Sequence, residues 1–247
     1  MDNCLSTAII MRINEYGESD LLVSFFTRDR GRLKGVAKGA RRSLKRFVNC
    51  LDTFSLVTLE YRLKRSGSLH FIESGRLVDS FASIRTDYRT MSIASYLIEL
   101  TEALFPMAMA DQAMFDLLKT SLDLLDKGEN RDFLPVIFET AAMRLGGFGI
   151  NTEKCCICGR SYTGKGPAVF LSERGGIACL KCRQITASSP KLSPDTVKWM
   201  CQVQAGNAED LNNISVADEI LVEIKPLLKL HREYQLCRRL KTADCLE

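Results

Sequence analysis

The spacing of four cysteines is the feature of this chain that most constrains its fold. Cys155 and Cys158 form one C-x2-C pair, and Cys179 and Cys182 form a second pair after a spacer of 20 residues. Each pair can place two sulfurs on one tight turn, about 2.3 Å from a shared zinc ion. Four thiolates leave no open coordination position. The sequence therefore predicts one structural zinc ion and no metal-bound water for catalysis.

The remaining cysteines show no disulfide framework. They are scattered along the chain: Cys4, Cys50, Cys156, Cys201, Cys237 and Cys245. This pattern is typical of reduced thiols in a cytoplasmic protein, and Cys156 is kept as an alternative metal ligand because it lies beside Cys155. The first residues do not resemble a secretion signal, and no run of about 18 apolar residues occurs. We therefore expect a cytoplasmic location and no membrane partner.

Charge is concentrated in one short stretch. Residues 28–46 contain nine basic residues and one acidic residue, a net charge of +8, whereas the whole chain carries +4. The other residues therefore sum to −4, and the stretch is a cationic patch on a mildly acidic protein.

The first 80 residues are predicted to form short strands separated by turns. Five β-rich runs lie at 8–13, 21–26, 33–37, 54–63 and 69–72, with a turn at Ser66-Gly67 before the last. Five strands in about 75 residues suit a small closed barrel, for which an OB-fold is the leading candidate. A five-stranded SH3-like barrel is the alternative that periodicity alone leaves open.

Helices are expected over most of the rest of the chain. Apolar residues recur at helical spacing after about residue 82, as in Ile93, Leu97, Leu100 and Leu104. Three helices are expected to end at Pro106, Gly128 and Gly146. Ser193-Pro194-Asp195 predicts the start of another helix. Ser215 with Asp218 resembles a capping box for a final helix through Leu240, which Pro226 should kink or divide.

These patterns predict an α+β fold with several domains. The N-terminal OB-fold barrel is expected at 1–80, a helical domain at 81–149 and the Cys4 zinc-finger segment at 150–188. The C-terminal helices, 189–247, are expected to pack on the helical domain.

Motifs for catalysis are missing from the sequence. The two histidines, His70 and His231, lie in different predicted elements, and no H-x-E motif accompanies the cysteines. No phosphate-binding loop of the G-x-x-x-x-G-K type and no G-x-S-x-G motif occurs. We therefore expect no catalytic residues and no enzymatic activity.

The cationic stretch favours nucleic-acid binding over a merely solvated loop. Its charges are almost unopposed, it contains small residues that let a strand approach, and it follows a strand of a barrel that binds nucleic acids in many proteins. The predicted phosphate contacts are Arg32, Lys34, Lys38, Arg41, Arg42, Lys45 and Arg46. Bases could stack on some of the nearby aromatic residues, namely Phe25, Phe26, Phe47, Phe54 and Tyr61.

Four collinear segments resemble the RecO family of bacterial DNA-repair proteins. They are the basic strand and loop at 16–42 (YGESDLLVSFFTRDRGRLKGVAKGARR), ASYLIEL at 94–100, the CCICG and CLKC cysteine pairs, and HREYQLCRRLKT at 231–242. Together they extend over almost the whole chain in the family's order of barrel, helices, zinc segment and terminal helix. The match is weak only at about 105–150.

The resemblance implies a recombination mediator in the RecFOR pathway. Such a protein binds single- and double-stranded DNA, anneals complementary strands and, with RecR, helps load RecA onto DNA coated by the single-strand-binding protein. It also implies a nucleoid-associated, cytoplasmic location. The acidic C-terminal tail of the single-strand-binding protein would need an apolar groove with a basic rim, for which the sequence offers Lys225, Lys229, Arg232, Arg238 and Arg239.

An alternative function from another class is a zinc-stabilised protein–protein adaptor. In this alternative, the basic stretch contacts an acidic protein partner instead of DNA phosphates. Binding of an oligonucleotide of arbitrary sequence distinguishes the two functions.

Overall fold

A computed structural model describes residues 3–63, 69–129 and 131–245. The chain separates into two compact units, Met1–Glu129 and Asn130–Glu247. This division falls inside the range 81–149, which the sequence suggested as one helical domain, so the four expected domains stay a prediction. The expected turn at Ser66-Gly67 lies outside the described residues.

The first unit contains a closed barrel of five strands. These are β1 (Asn3–Tyr16), β2 (Asp20–Thr27), β3 (Gly31–Ala37), β4 (Leu56–Arg62) and β5 (Leu69–Asp79). They are hydrogen-bonded in the order β1-β2-β3-β5-β4, and β4 pairs with β1 to close the barrel. The β3–β5 pair is parallel and every other pair is antiparallel. This topology confirms the OB-fold prediction over the SH3-like alternative.

Aromatic and aliphatic side chains fill the barrel. Phe25 and Tyr61 meet edge to face with ring centroids 5.6 Å apart, and the Tyr61 hydroxyl is 3.0 Å from Oγ of Ser6. The segment between β3 and β4 contributes Phe47 and Cys50 to the same core. Leu51, Phe54 and Ser55 of this segment are buried too, whereas its basic residues Lys38, Arg41, Arg42, Lys45 and Arg46 are exposed.

Two helices complete the first unit. Helix α1 (Tyr88–Leu104) begins at Asp87, whose carboxylate accepts a 2.9 Å hydrogen bond from the Thr90 N–H. Helix α2 (Gln112–Lys127) ends at Gly128, which has a φ of 77°. A glycine in this left-handed conformation is a common helix end because it has no Cβ to clash with the backbone. The end of α1 at Leu104, just before Pro106, and the end of α2 at Gly128 agree with the sequence prediction.

The connection between α1 and α2 lies on the outside of β2 and β3. A Cβ atom on Gly31 would come within 1.9 Å of the Met109 carbonyl oxygen, so only glycine permits this close approach. Phe26 of β2 packs against Phe105 and Phe115, with ring centroids 6.4 and 6.1 Å apart. The connection and the start of α2 therefore cover one half of the outer surface of β2 and β3.

The second unit contains a small antiparallel sheet. Its strands are β6 (Ala168–Leu171), β7 (Gly176–Cys179) and β8 (Lys191–Leu192), in the order β7-β6-β8. Every residue of β6 is buried. Strand β7 ends at Cys179, so the sheet holds the second cysteine pair at its edge.

The described part of the second unit contains three α-helices. They are α3 (Leu134–Met143), α4 (Pro194–Ala205) and α5 (Asp218–Leu236). The side chain of Ser193 caps α4, as predicted, by accepting a 3.2 Å hydrogen bond from the Thr196 N–H. No helix in the described part of the chain is both long and apolar enough to span a membrane.

The start of α5 corrects the capping-box prediction. The helix begins at Asp218 after Ala217, and no side chain caps it. Asp218 therefore occupies the first turn, where its negative charge favours the positive end of the helix dipole, instead of the third position that a box with Ser215 requires.

The end of α5 also differs from the prediction, whereas at Pro226 only one of the two expected effects, division of the helix, is excluded. The helix continues through Pro226 without division. The carbonyl that loses its bond belongs to Val222, whose side chain is 74% exposed, so water can reach this part of the helix. Cys237, with a φ of 49°, ends α5, which leaves Leu240 beyond the helix but buried.

Candidate nucleic-acid interface and metal centre

One half of the outer surface of β2, β3 and β5 is left open by the helices. Alternate residues of β3 point into the core, which places Lys34 and Val36 on the outer side. Leu22 of β2 pairs with Val36, while Leu69 and Phe71 of β5 pair with Lys34 and Val36. We call these five residues the open face; Val36 is only 4% exposed, whereas the other four are exposed or partly exposed. Oligonucleotides bind the β2–β3 surface in many OB-folds.

A loop rich in lysine and arginine follows β3 directly. This cationic loop, residues 38–49, contains five basic residues and no acidic one. Its first residue, Lys38, places its ammonium 5.4 Å from the centroid of the Phe71 ring, a cation–π distance. The loop and the open face therefore adjoin, and together they form the candidate nucleic-acid interface.

Four of the seven predicted phosphate contacts are available for a ligand. Lys34, Lys38, Arg42 and Lys45 are exposed. Among the described residues, none of these four side chains forms an ion pair with an acid. Since free surface cations keep their charge for an incoming anion, these four are the strongest candidates for phosphate contact.

The other three predicted contacts are engaged within the protein. Arg32 donates to the Glu102 carbonyl oxygen at 2.9 Å, and its side chain is only 17% exposed. Arg41 is paired with Glu15 at 3.2 Å. Arg46 donates to the carbonyl oxygens of Lys38 and Glu73, at 2.6 and 3.3 Å, and so holds the cationic loop.

Acidic residues from distant parts of the chain reduce the charge of the cationic stretch further. Asp116 of α2 accepts two hydrogen bonds from Arg28, at 3.1 and 3.0 Å, and raises the pKa of that guanidinium. Arg30 lies 3.6 Å from the carboxylate of its neighbour Asp29. Asp29 is already counted in the net charge of +8 along residues 28–46, but Asp116 and Glu15 are not, so this net charge overstates what a ligand meets.

The aromatic residues suggested for base stacking are all in the interior. Five side chains are at most 6% exposed, namely Phe25, Phe26, Phe47, Phe54 and Tyr61. Two other aromatic residues reach the surface beside the cations: Phe71 on the open face, and Tyr16, which is 51% exposed at the end of β1. The position of Phe71 in the outward register of β5 is the only sequence signal that could have identified it.

The four predicted metal ligands lie together in the second unit. Their sulfur atoms are all within 4.8 Å of one another, and Sγ of Cys158 is 4.0 Å from Sγ of Cys179. A tetrahedral zinc site with bonds of about 2.3 Å requires sulfurs about 3.8 Å apart, so the set fits one zinc ion. Cys156, the alternative ligand, is not part of the converging group found among the described residues.

Backbone geometry explains how each cysteine pair is positioned. The Gly159 N–H donates to the Cys155 carbonyl oxygen at 2.9 Å, and the Cys182 N–H donates to that of Cys179 at 2.9 Å. The two turns approach each other directly, because the Cys179 N–H points at Sγ of Cys155 at 3.4 Å. Such N–H groups stabilise thiolates, which are the form that binds metal.

The thiol pKa values show that four neighbouring sulfurs oppose each other's ionisation. Burial raises the pKa of Cys155, but backbone N–H groups at Cys158, Cys179 and Ile157 outweigh it and lower the value to about 6. The sulfurs of Cys179 and Cys158 raise the pKa of Cys182 to about 12. Four thiolates therefore do not ionise together without a cation, and a bound dication would supply the missing charge.

One of the basic residues predicted to surround a groove for an acidic peptide is buried in the structure. Arg232 is buried between α5 and α3, where its Nη1 donates to both carboxylate oxygens of Glu139 at 2.8 and 3.0 Å. Arg239 is paired with Asp244 at 2.7 Å. Lys225, Lys229 and Arg238 remain exposed.

Comparisons with known proteins agree along the whole chain. Residues 1–81 match the family model described as Recombination protein O N terminal, and residues 85–244 match Recombination protein O C terminal. The chain is 32% identical over 246 residues to the DNA repair protein RecO of Desulfatibacillum aliphaticivorans, covering 98% of this chain and 95% of the relative.

Two further relatives carry the same name. The DNA repair protein RecO of Syntrophus aciditrophicus is 30% identical over 241 residues, which are 96% of this chain and 93% of the relative. That of Anaeromyxobacter dehalogenans is 30% identical over 247 residues, 100% of this chain and 97% of the relative. On these matches and this fold, the chain belongs to the RecO family of DNA-repair proteins.

Proposed function

We propose that this protein is a DNA-binding recombination mediator that acts in recombinational repair. It anneals complementary single strands and, with RecR, helps load RecA onto DNA coated by the single-strand-binding protein. One observation supports this most strongly: an OB-fold surface on β2 and β3 adjoins a loop in which Lys38, Arg42 and Lys45 have no acidic partner among the described residues. Family membership supports the repair role itself.

Annealing needs charge neutralisation and no bond-making step. Two DNA strands repel each other through their phosphates, and lysine or arginine side chains that neutralise those phosphates lower the barrier to pairing. Lys34, Lys38, Arg42 and Lys45 supply this charge without reading the sequence, because phosphates are the same at every position. Phe71 and Tyr16 offer faces on which bases stack. This mechanism requires no catalytic residue.

The zinc ion in this proposal is structural. Cys155, Cys158, Cys179 and Cys182 would hold it, and its charge stabilises four thiolates that would otherwise repel each other. In small zinc peptides such a site contributes about 10–16 kcal/mol, enough to decide whether the local segment folds. The ion therefore maintains the second unit, while DNA contacts belong to the first.

Protein partners are proposed for the second unit. An acidic peptide with an apolar end, such as the tail of the single-strand-binding protein, would use the exposed cations Lys225 and Arg238. Arg232 is excluded from this role because Glu139 already neutralises it in the interior. Charge reversal of Lys225 and Arg238 together should weaken binding of the tail peptide, whereas unchanged binding would exclude this location.

Oligonucleotide binding tests the proposal against the adaptor alternative. Fluorescence anisotropy with a labelled 30-base strand of arbitrary sequence should show salt-dependent binding that does not vary with sequence. Mixing complementary strands should then show faster pairing with protein than without it. A protein that bound acidic polypeptides but neither bound nor annealed DNA would support the adaptor function instead.

A further inference from the structure

The cationic loop carries an exposed apolar tip. The Leu44 side chain is 89% exposed, more than any other large apolar side chain among the residues that the structure describes. Val48, in the same loop, is 51% exposed. A single exposed leucine is common on proteins and needs no explanation by itself. The residues around Leu44 are the reason to consider it as a ligand contact.

The backbone on both sides of Leu44 is held in place. On one side, the Gly39 N–H donates to Oδ1 of Asp20 at 2.8 Å. On the other side, the Arg46 N–H donates to Oγ of Ser43 at 3.1 Å, and the Gly75 N–H of β5 donates to the Arg46 carbonyl oxygen at 2.8 Å. These bonds fix the loop to the barrel, so Leu44 does not fold back onto the core and stays presented to solvent.

Two available cations flank this apolar tip. Arg42 and Lys45 are exposed, and within the described residues neither side chain has a hydrogen-bond or ion-pair partner. A single DNA strand has the complementary pattern, because its charged phosphates alternate with apolar base faces. We propose that Leu44, assisted by Val48, is a prong that contacts unstacked bases while Arg42 and Lys45 hold the adjacent phosphates.

The proposed prong rests on the DNA-binding function and makes it more specific. Bases are accessible to an apolar side chain in single strands and at duplex ends, but in the middle of a duplex they are stacked and paired. Leu44 therefore contributes to binding of single strands and not of closed duplexes. Other DNA-binding proteins insert leucine, isoleucine or phenylalanine between bases in a similar way.

An anionic membrane is the other surface that combines charge with an apolar phase. One leucine and one valine bury little apolar area, and even a whole myristoyl chain gives only marginal membrane attachment. The loop also adjoins the open face, where Lys34 and Phe71 continue the cationic and apolar pattern along the barrel. The observations therefore favour a strand of nucleic acid.

A substitution at Leu44 tests the prong with a matched control. The variant is Leu44→Ala, and the control is Leu5→Ala, because Leu5 is 72% exposed on β1, opposite Glu60 of β4. The probes are a single strand containing 2-aminopurine and a duplex of equal charge whose two ends are closed by linkers without bases. Leu44→Ala should weaken single-strand binding about fivefold, as partial burial of one leucine predicts, and reduce the 2-aminopurine response. Duplex affinity should not change.

The outcomes separate the prong from the function on which it rests. If the wild-type protein bound neither probe, the proposed function would fail. If it bound both but Leu44→Ala matched Leu5→Ala in affinity and 2-aminopurine response, only the prong would be refuted. Loss of binding to vesicles of phosphatidylcholine and phosphatidylserine, with single-strand binding unchanged, would assign Leu44 to a membrane and also overturn the proposal. Circular dichroism would confirm that each variant is folded.

Discussion

The number of cations that are available to DNA predicts how strongly DNA binding depends on salt. Four available cations can each neutralise one phosphate: Lys34, Lys38, Arg42 and Lys45. For a single strand, each phosphate contact adds about −0.7 to the slope of log affinity against log salt concentration. The wild-type protein should therefore bind a single strand with a slope of about −2.8 in log affinity against log salt concentration. Seven contacts, as the sequence suggested, would give about −4.9.

The double variant Arg42→Ala with Lys45→Ala should reduce this slope to about −1.4. Its matched control is Arg28→Gln with Arg30→Gln, which removes two charges that are already paired with Asp116 and Asp29. Anisotropy titrations between 50 and 300 mM salt measure the slope of each double variant. An equal change of slope in the two double variants would refute the reasoning. The salt slope would then depend on the total number of basic residues and not on whether they have acidic partners.

Three further predictions concern the second unit. Cys182→Ser should release zinc and lower the melting temperature without changing the DNA-binding slope, as measured with a chelating dye, thermal unfolding and anisotropy; loss of DNA binding in a folded variant would contradict this. Arg232→Met should cost about 3–5 kcal/mol in denaturant unfolding because it removes the cation that donates to both oxygens of the buried Glu139 carboxylate, and adding Glu139→Leu should recover most of this loss. Unchanged stability of the single variant would refute the argument. Burial lowers the pKa of His231 below its ordinary value of 6.5. The unfolded chain then binds more protons below about pH 6.5, so stability should fall from pH 7.5 to 5.5, and less so in His231→Gln. An identical fall in both proteins would show that His231 is not responsible.

The architecture of the barrel was accessible from the sequence because strand periodicity and turn residues are local signals. Five β-rich runs correspond to the five strands, and Gly128 ends α2 as its position predicted. The cysteine spacing identified four sulfurs that converge, since C-x2-C turns constrain their own geometry. Local chemistry was sufficient in each of these cases.

Long-range pairing was not accessible in the same way. Arg28 is paired with the carboxylate of Asp116 in α2. Arg41 is paired with the carboxylate of Glu15, which lies near the end of β1. Whether an aromatic residue faces the core or the solvent depends on strand register, so Phe26 was suggested for stacking although α2 covers it. The capping box failed because α5 starts at Asp218, three residues after Ser215.

Strand annealing by a variant without the available cations tests the central claim most directly. The variant carries alanine at Lys34, Lys38, Arg42 and Lys45, and the control is again Arg28→Gln with Arg30→Gln. Pairing of two complementary labelled strands is followed by energy transfer, with folding checked by circular dichroism. The wild-type protein and the control should accelerate pairing, and the folded fourfold variant should not. Acceleration by the fourfold variant at the wild-type rate would contradict the central claim.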